Sequence, residues 1–414
     1  MASNYFLDTD VDQWSIRAAF QDFERENPSF SARHILHKLK QKITEASNVE
    51  NEKRASAAAK LLQDWKWVVN NVNVTAILRE FRQVSVKGAQ MRKELSDCRT
   101  LSLSYIFLLS LTQKCVLSRL SPDRKLALVN DLHIKKHLEL VEDDVVLACR
   151  KMQIVLQNDD QKLTDIEASI DAIKSNSSSQ QVKIAAKIVS ALVHRFLAYS
   201  EPKNNNEQEA TITIELIRPF LLNCIASQLR GIKFEWQISK NGPFTNHPLN
   251  QTMIPDFVLY VDPISTVSFE LFFVEVKRKG NYSNGHLESD LVKLGKEMQI
   301  AVNKLVLQKV ASPEVVGLLI EGDSAVAYKM DLVYNGQYRM IELSRFHFVR
   351  ENVNDISLVP TILEKLHQLQ VIVEQTMGNL YKSLEEENCV DLTSYARIAC
   401  ESPLAMKKFK SENK

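Results

Sequence analysis

The chain has 414 residues, room for two or three ordinary domains, and its 45% hydrophobic and 25% charged content is that of a globular protein rather than a disordered one. Its 52 basic and 51 acidic side chains leave a formal charge of +1, which implies no chain-wide polycation or polyanion partner. Only 10 glycines occur, and Gly88 is the only one before Gly231, so collagen-like and low-complexity classes are excluded and tight turns concentrate in the second half. No G-x-G-x-x-G or Walker A pattern is present.

Six dispersed cysteines without a C-x-x-C pair read as reduced thiols rather than a zinc knuckle or a disulfide framework. The N-terminal MASNYFLDTDVDQW is acidic and lacks a basic segment followed by an apolar one. The most apolar run, Leu101 to Leu111, falls short of the ~20 residues of a membrane span. We therefore expect an intracellular chain, in the nucleus or cytoplasm, with no membrane partner.

Helical spacing dominates residues 1–199. Ser31 to Ile43 places Ile35, Leu36, Leu39 and Ile43 on one face, and Ala55 to Val69 is rich in strong helix formers. Amphipathic stretches follow at 73–84, 99–120, 122–138, 144–156, 159–179 and 181–199. This predicts an all-α domain of unknown role, which would supply substrate choice, a protein partner surface or self-association. Residues 200–210 (SEPKNNNEQEA) are polar and contain Pro202, the composition of a linker.

From residue 211 the periodicity changes. Thr211 to Leu229 reads as an apolar helix interrupted at Pro219, and Ile232–Ile238, Ile254–Val261 and Phe269–Lys277 as strands rich in aromatic and β-branched residues. His286 to Val310 returns to helical spacing. Val315–Ile320 and Ala325–Val333 follow as strands, then Asn335-Gly336 as a two-residue hairpin turn into Gln337–Leu343, and a last helix over Leu358–Leu380. The predicted order over 211–380 is α-β-β-β-α-β-β-β-α, with 381–414 as a C-terminal tail. The fold class is α+β overall, an all-α N-terminal domain followed by an α/β domain.

The chemistry concentrates at Pro255-Asp256 and Glu275-Val276-Lys277. Glu275 and Lys277 are two apart, so on a strand they leave the same face, roughly 6.5–7 Å apart. If Asp256 lies opposite Glu275, the pairs Val258–Phe273, Tyr260–Leu271 and Asp262–Phe269 follow, with Pro263–Ser268 as the connecting loop. Two adjacent carboxylates invite a hard divalent cation with oxygen ligands, and a lysine beside them can orient a water or offset negative charge on a phosphoryl group. Taken singly, Asp256 also reads as a turn residue and Glu275 and Lys277 as an exposed strand end.

The P-D…E-V-K pattern on consecutive strands resembles the signature of the PD-(D/E)XK superfamily of restriction-endonuclease-like nucleases. Residues 211–375 are similar, more narrowly, to an uncharacterised group expanded in Mucor-type fungi, through Glu215–Leu221 and Tyr338–Phe346. The resemblance covers the C-terminal half only. It implies an αβββαβ core and Mg²⁺- or Mn²⁺-dependent hydrolysis of nucleic acid, DNA rather than RNA. Asp256 and Glu275 would bind the metal, Lys277 would act on the attacking water, and Glu215 and Gln299 would support the site. The rival reading is a catalytically inactive nuclease-fold module that binds nucleic acid or protein.

Two features sit less easily with that picture. Residues 211–380 carry 16 basic and 18 acidic side chains, whereas a protein gripping a duplex shows a basic face. A local patch (Lys277, Arg278, Lys279, Lys293, Lys296, Lys304, Lys309) is the candidate for one, and equally reads as a solvated helix face. Pro219 would also clash with the carbonyl of Glu215 in a continuous helix, so the helix kinks there or begins near Arg218. His133 and His137, one helical turn apart, read as an exposed helix face rather than a metal pair. Of Trp65 and Trp67, we expect one in the core and one at a contact.

Overall fold

The computed structural model describes residues 66–158, 162–198, 211–236, 254–264, 267–277, 289–350, 352–385 and 392–400, and scattered positions before residue 66, of which 32–47 are the longest run. That run is helix α1 (Ala32–Ser47), whose Ile35, Leu39, Ile43 and Ala46 form a small core with Tyr5, Phe6, Ala19 and Phe23. Val68–Val69 (β1) and Val72–Asn73 (β2) pair as a short hairpin across Asn70 and Asn71, both at positive φ (46° and 63°). Asparagine tolerates that conformation, and the predicted helix over 55–69 is replaced by strand at its end. Asn73 then caps α2 (Val74–Gln90), its side chain accepting from the Ala76 amide at 3.0 Å.

The helical reading of 99–120 fails in its middle. Residues Asp97–Leu103 form α3, but Ile106–Leu109 form strand β3, fully buried. Tyr105 at φ 63° ends the helix and turns the chain into the strand. Four apolar residues fit either structure locally, and the pairing offered by a distant strand decides. Helices α4 (Pro122–Asp131), α5 (Asp143–Leu156), α6 (Leu163–Asn176) and α7 (Gln180–Ala198) follow. His133 and His137 lie beyond the end of α4 at φ 48° and 64°, so the two share no helix face.

Pro219 is accommodated in a specific way. Ile212–Ile217 form a π-helical turn, and α8 (Arg218–Cys224) starts immediately after it with proline in its first turn, where a missing N–H costs nothing. Then come β4 (Lys233–Trp236), β5 (Phe257–Ile264), β6 (Val267–Lys277), α9 (Asp290–Leu307), β7 (Glu314–Glu321), β8 (Ser324–Tyr334), β9 (Gln337–His347) and α10 (Val359–Glu385). From Thr211 on, the elements occur in the predicted order.

One seven-stranded mixed sheet holds these strands in the order β3-β9-β8-β7-β6-β5-β4. β4 to β6 form an antiparallel meander, β6 and β7 are parallel with α9 as their crossover, and β7 to β9 are a second meander. β3, from the first half of the chain, closes the far edge parallel to β9. Most residues of β6, β7 and β8 are buried along their whole length, as strands covered on both faces must be. α9 covers one face beside α3, and Gly317 of β7 lets Met298 and Leu294 of α9 approach closely. α10 packs against β6, β7, β9 and α8.

From Trp67 on, the helices of the first half therefore share the core of the sheet, and only the small cluster around α1 stands apart. A single hydrophobic cluster runs from Trp67 to Tyr395 and includes residues of α2 to α7. Residues 392–400, expected as part of a free tail, lie against the sheet, with Tyr395 and Ala399 buried. The 200–210 linker lies outside the described residues. No helix among the described residues is long and apolar enough to cross a membrane.

Candidate active site

The β5–β6 hairpin positions the acidic pair. Phe257 pairs with Val274, Val258 with Phe273 and Leu259 with Phe272, which sets Asp256 next to Glu275 across the ladder. The expected register holds to that point and then slips by one. Tyr260 pairs with Glu270 rather than Leu271, and Phe269 with Val261 rather than Asp262. The extra residue is a bulge at Leu271, and it has a consequence. It turns Glu270 to the same side as Glu275, under α9, where Lys304 Nζ donates to both carboxylate oxygens at 2.8 and 2.7 Å.

β6 and α9 run antiparallel, and their rises match. From Lys277 to Glu270 the strand falls by ~23 Å, and from Asp290 to Lys304 the helix climbs ~21 Å, so charged residues meet as rungs. The first rung is Lys277 with Asp290, at 3.2 Å. The second is Glu275 with Lys293, whose Nζ stands 2.7 Å from Oε1 and 2.8 Å from Oε2. Lys293 also donates to the Ile254 carbonyl at 2.6 Å and lies 3.9 Å from Glu297 Oε1. The third is Glu270 with Lys304. Asp256 joins the second rung through its Oδ2, which accepts the Val276 N–H at 2.6 Å.

Asp256, Glu275 and Lys277 are thus brought together, and Asp290, Lys293 and Glu297 complete the cluster. The electrostatics follow from burial. Glu275 is 2% exposed, and burial followed by repulsion from Glu297 holds its carboxyl well above the usual range despite Lys293. Burial pushes Glu297 up to about 7, against the pull of Lys293. Burial also raises Asp256, opposed by the Val276 amide. Burial works against the charge of Lys293, yet Glu297 and Glu275 outweigh it and keep its pKa above the ordinary lysine value.

The two supporting residues are placed elsewhere. Gln299 is fully buried, but its amide donates to the Ser104 carbonyl at 2.9 Å and the Arg397 carbonyl at 3.3 Å. Two residues past Glu297 is a turn of about 200° on a helix, so Gln299 faces the β3 side and ties down the C-terminal segment. Glu215, on the π-turn, pairs with Arg195 of α7 at 3.3 Å and lines a cavity of about 550 Å³ with His194, Arg218 and Asn223. Neither makes a described contact with Asp256, Glu275 or Lys277.

The described members of the lysine patch do not share one open face. Lys296 is fully buried, and Lys293 and Lys304 are held in ion pairs by carboxylates of β6, while Lys309 is exposed beyond the end of α9. Arg278 and Lys279 lie outside the described residues. Of the tryptophans, Trp67 is core, stacked on Tyr334 at 5.7 Å and under Arg339, and Trp65 lies outside the described residues. The signal for Lys293 and Glu297 was present as D-x-x-K-x-x-x-E over 290–297, whose spacing sets all three on one helical face.

Among the described residues, no group of three or more His, Cys, Asp or Glu side chains stands in a metal-holding arrangement as found, with the Lys293 ammonium in the midst of the acids. The donor chemistry nevertheless suits a hard cation. Asp256, Glu275 and Glu297 offer only oxygens, and the buried carboxylate oxygens of Glu297 take no hydrogen bond from a described amide, hydroxyl or ammonium and have the Glu275 carboxyl as their hydrogen-bonding neighbour. Buried polar atoms are nearly always satisfied, and two facing carboxyls are satisfied only by a shared proton or a cation held between them. No protein-family model matches the chain, and neither does any curated protein or solved structure.

Proposed function

We propose that the chain is a metal-dependent nuclease that hydrolyses phosphodiester bonds of nucleic acid, with DNA as the substrate. The observation that carries this reading is the convergence of Asp256, Glu275 and Lys277 at the end of β6, on a hairpin whose register sets the two carboxylates side by side. The element order α-β-β-β-α-β from residue 211 is that of the restriction-endonuclease-like core and supports it.

Asp256 and Glu275 would hold Mg²⁺ or Mn²⁺. The bound ion would supply Lewis acidity at a phosphoryl oxygen and a more acidic water. Lys277, on the same face two residues on, donates to the attacking water and offsets the negative charge that develops on the phosphoryl group. Asp290 fixes the ammonium of Lys277 from the first turn of α9. α9 covers the site from one side and keeps bulk water away from Glu275, which strengthens each of these interactions.

A second reading, a binding module on the same scaffold without catalysis, is favoured by a specific observation. The ion pairs Lys277–Asp290 and Lys293–Glu275 neutralise the site internally, and Lys293 and Lys304 of α9 are paired with carboxylates of β6. The purified chain incubated with single- and double-stranded DNA and RNA, with Mg²⁺ or Mn²⁺ and with EDTA, separates the two. The nuclease reading expects cleavage of DNA that EDTA abolishes. Retention of nucleic acid without cleavage in any metal favours the binding module.

A further inference from the structure

Four groups of opposite sign share one enclosed place beneath α9: the carboxylates of Asp256, Glu275 and Glu297 and the ammonium of Lys293. Their burial is uneven. The Glu275 and Glu297 side chains are 3% and 0% exposed, while that of Lys293 is 23% exposed. The two glutamates are fixed and enclosed, whereas Lys293, at the edge, reaches inward on a flexible four-carbon stem. Its Nζ contacts the Glu275 carboxylate and the Ile254 carbonyl, and lies close to Glu297, all of them oxygen donors of the kind a hard cation takes.

One positive charge is poorly matched to this set. Lys293 bonds Glu275 and approaches Glu297 only to 3.9 Å, beyond hydrogen-bonding distance, so it gives neither Glu297 oxygen a hydrogen bond. A divalent ion at the same place interacts twice as strongly with every carboxylate around it. Resting on the metal-site reading above, we propose that Lys293 is the built-in counter-ion of the metal-free state, displaced when a divalent cation binds, and that Glu297 then serves as a third carboxylate donor beside Asp256 and Glu275. Outward movement of Lys293 frees the Glu275 oxygens and puts an ammonium at the rim of the site. The acids never stand without a cation in this scheme, since one replaces the other.

Calorimetric titration of the full chain with Mn²⁺ tests this without any assay of activity. Lys293→Met removes the competitor and is expected to bind Mn²⁺ on the order of tenfold tighter than the unaltered chain. Lys293→Gln keeps a hydrogen-bond donor toward Glu275 and is expected to shift the same way, which covers a methionine variant that does not fold. Glu297→Gln is expected to bind more weakly by a similar factor. In the absence of metal, the Lys293 variants should melt below the unaltered chain, and saturating Mn²⁺ should raise their melting temperature more than it raises that of the unaltered chain.

Mn²⁺ affinity that is unchanged or weaker in both Lys293 variants overturns the displacement, and unchanged affinity in Glu297→Gln overturns its role as a donor. Either result leaves the metal site of Asp256 and Glu275 standing if Glu275→Gln abolishes binding. Absence of Mn²⁺ binding in the unaltered chain and every variant overturns the metal-site reading and this inference together.

Discussion

Glu342 of β9 is surrounded by donors: the hydroxyls of Ser110 and Thr112 and the guanidinium of Arg345 at 2.8 Å all point at its carboxylate. Burial would raise its pKa, but these donors win and hold it below the usual carboxylate value. A carboxyl depressed on folding adds stability that is complete above its ordinary pKa and is lost as pH falls through the folded one. Stability should therefore decline on acidification below about pH 4.5. Glu342→Gln should lower stability at pH 7 by about 1–3 kcal/mol and flatten that acid limb, read from urea melts at pH 7 and pH 3.5. An acid limb of unchanged steepness in the variant would show that the group is not depressed. At this same scale, Asp256, Glu275 and Lys277 could be read from the chain because strand alternation alone puts 275 and 277 on one face. Lys293 and Glu297 could not be recognised, because a charged helical residue reads as solvated until the strand beneath it is known. Gln299 was misplaced for a related reason: two residues along a helix reverse the direction of a side chain, and spacing alone does not say which face meets the sheet.

At the scale of elements, the seating of α9 on β6 and β7 sets the site. Its Leu294, Met298, Val302 and Leu305 are fully buried, each contributing about 1.5–3 kcal/mol by removal from water. Gly317 of β7 makes that seating close, since a Cβ there would lie 2.7 Å from Met298 Sδ and 3.1 Å from Leu294 Cδ1. Gly317→Ala should push the helix off the sheet and cost about 1–3 kcal/mol of stability, measured by thermal or urea unfolding. An alanine variant as stable as the unaltered chain would show that Met298 and Leu294 move aside freely. The strands from 233 to 347 were legible because aromatic and β-branched runs between turn signals suit nothing else, and Asn335-Gly336 marked its hairpin. Two features were not. The bulge at Leu271 has no sequence signature of its own, because the partner it gives Glu270, Lys304, lies on a helix 34 residues further along the chain. The strand at Ile106–Leu109 is too short to differ from a buried helical turn until β9 offers it a partner.

For the whole molecule, polar ties add to the shared core in binding the first half to the second. Thr75 bonds Gln337 at 3.2 Å, Gln368 of α10 donates to the carbonyls of Ile134 and Lys136 at 2.8 and 2.9 Å, and Gln153 of α5 donates to Asn354 at 2.7 Å. Trp67 packs under Arg339, which itself forks onto Asp331 at 2.6 and 2.8 Å, and the indole N–H of Trp67 reaches Asp131. Composition and glycine spacing suggested a helical domain followed by an α/β one, because helical periodicity is local and core sharing is not. A chain shortened to begin at Thr211 would lack β3 and the helices that cover one end of the sheet. It should show no cooperative thermal transition by circular dichroism, and a cooperative melt there would mean that the second half folds by itself.

The central claim is that Asp256, Glu275 and Lys277 hydrolyse phosphodiester bonds with a divalent metal, and the most direct measurement is the single-turnover cleavage rate of end-labelled DNA in Mn²⁺. The unaltered chain is compared with Glu275→Gln and Lys277→Met, each first matched to it by circular dichroism. The account predicts metal-dependent cleavage by the unaltered chain and a loss of at least ~10²-fold in either variant. Cleavage at equal rates by all three proteins, or by none of them, would contradict it.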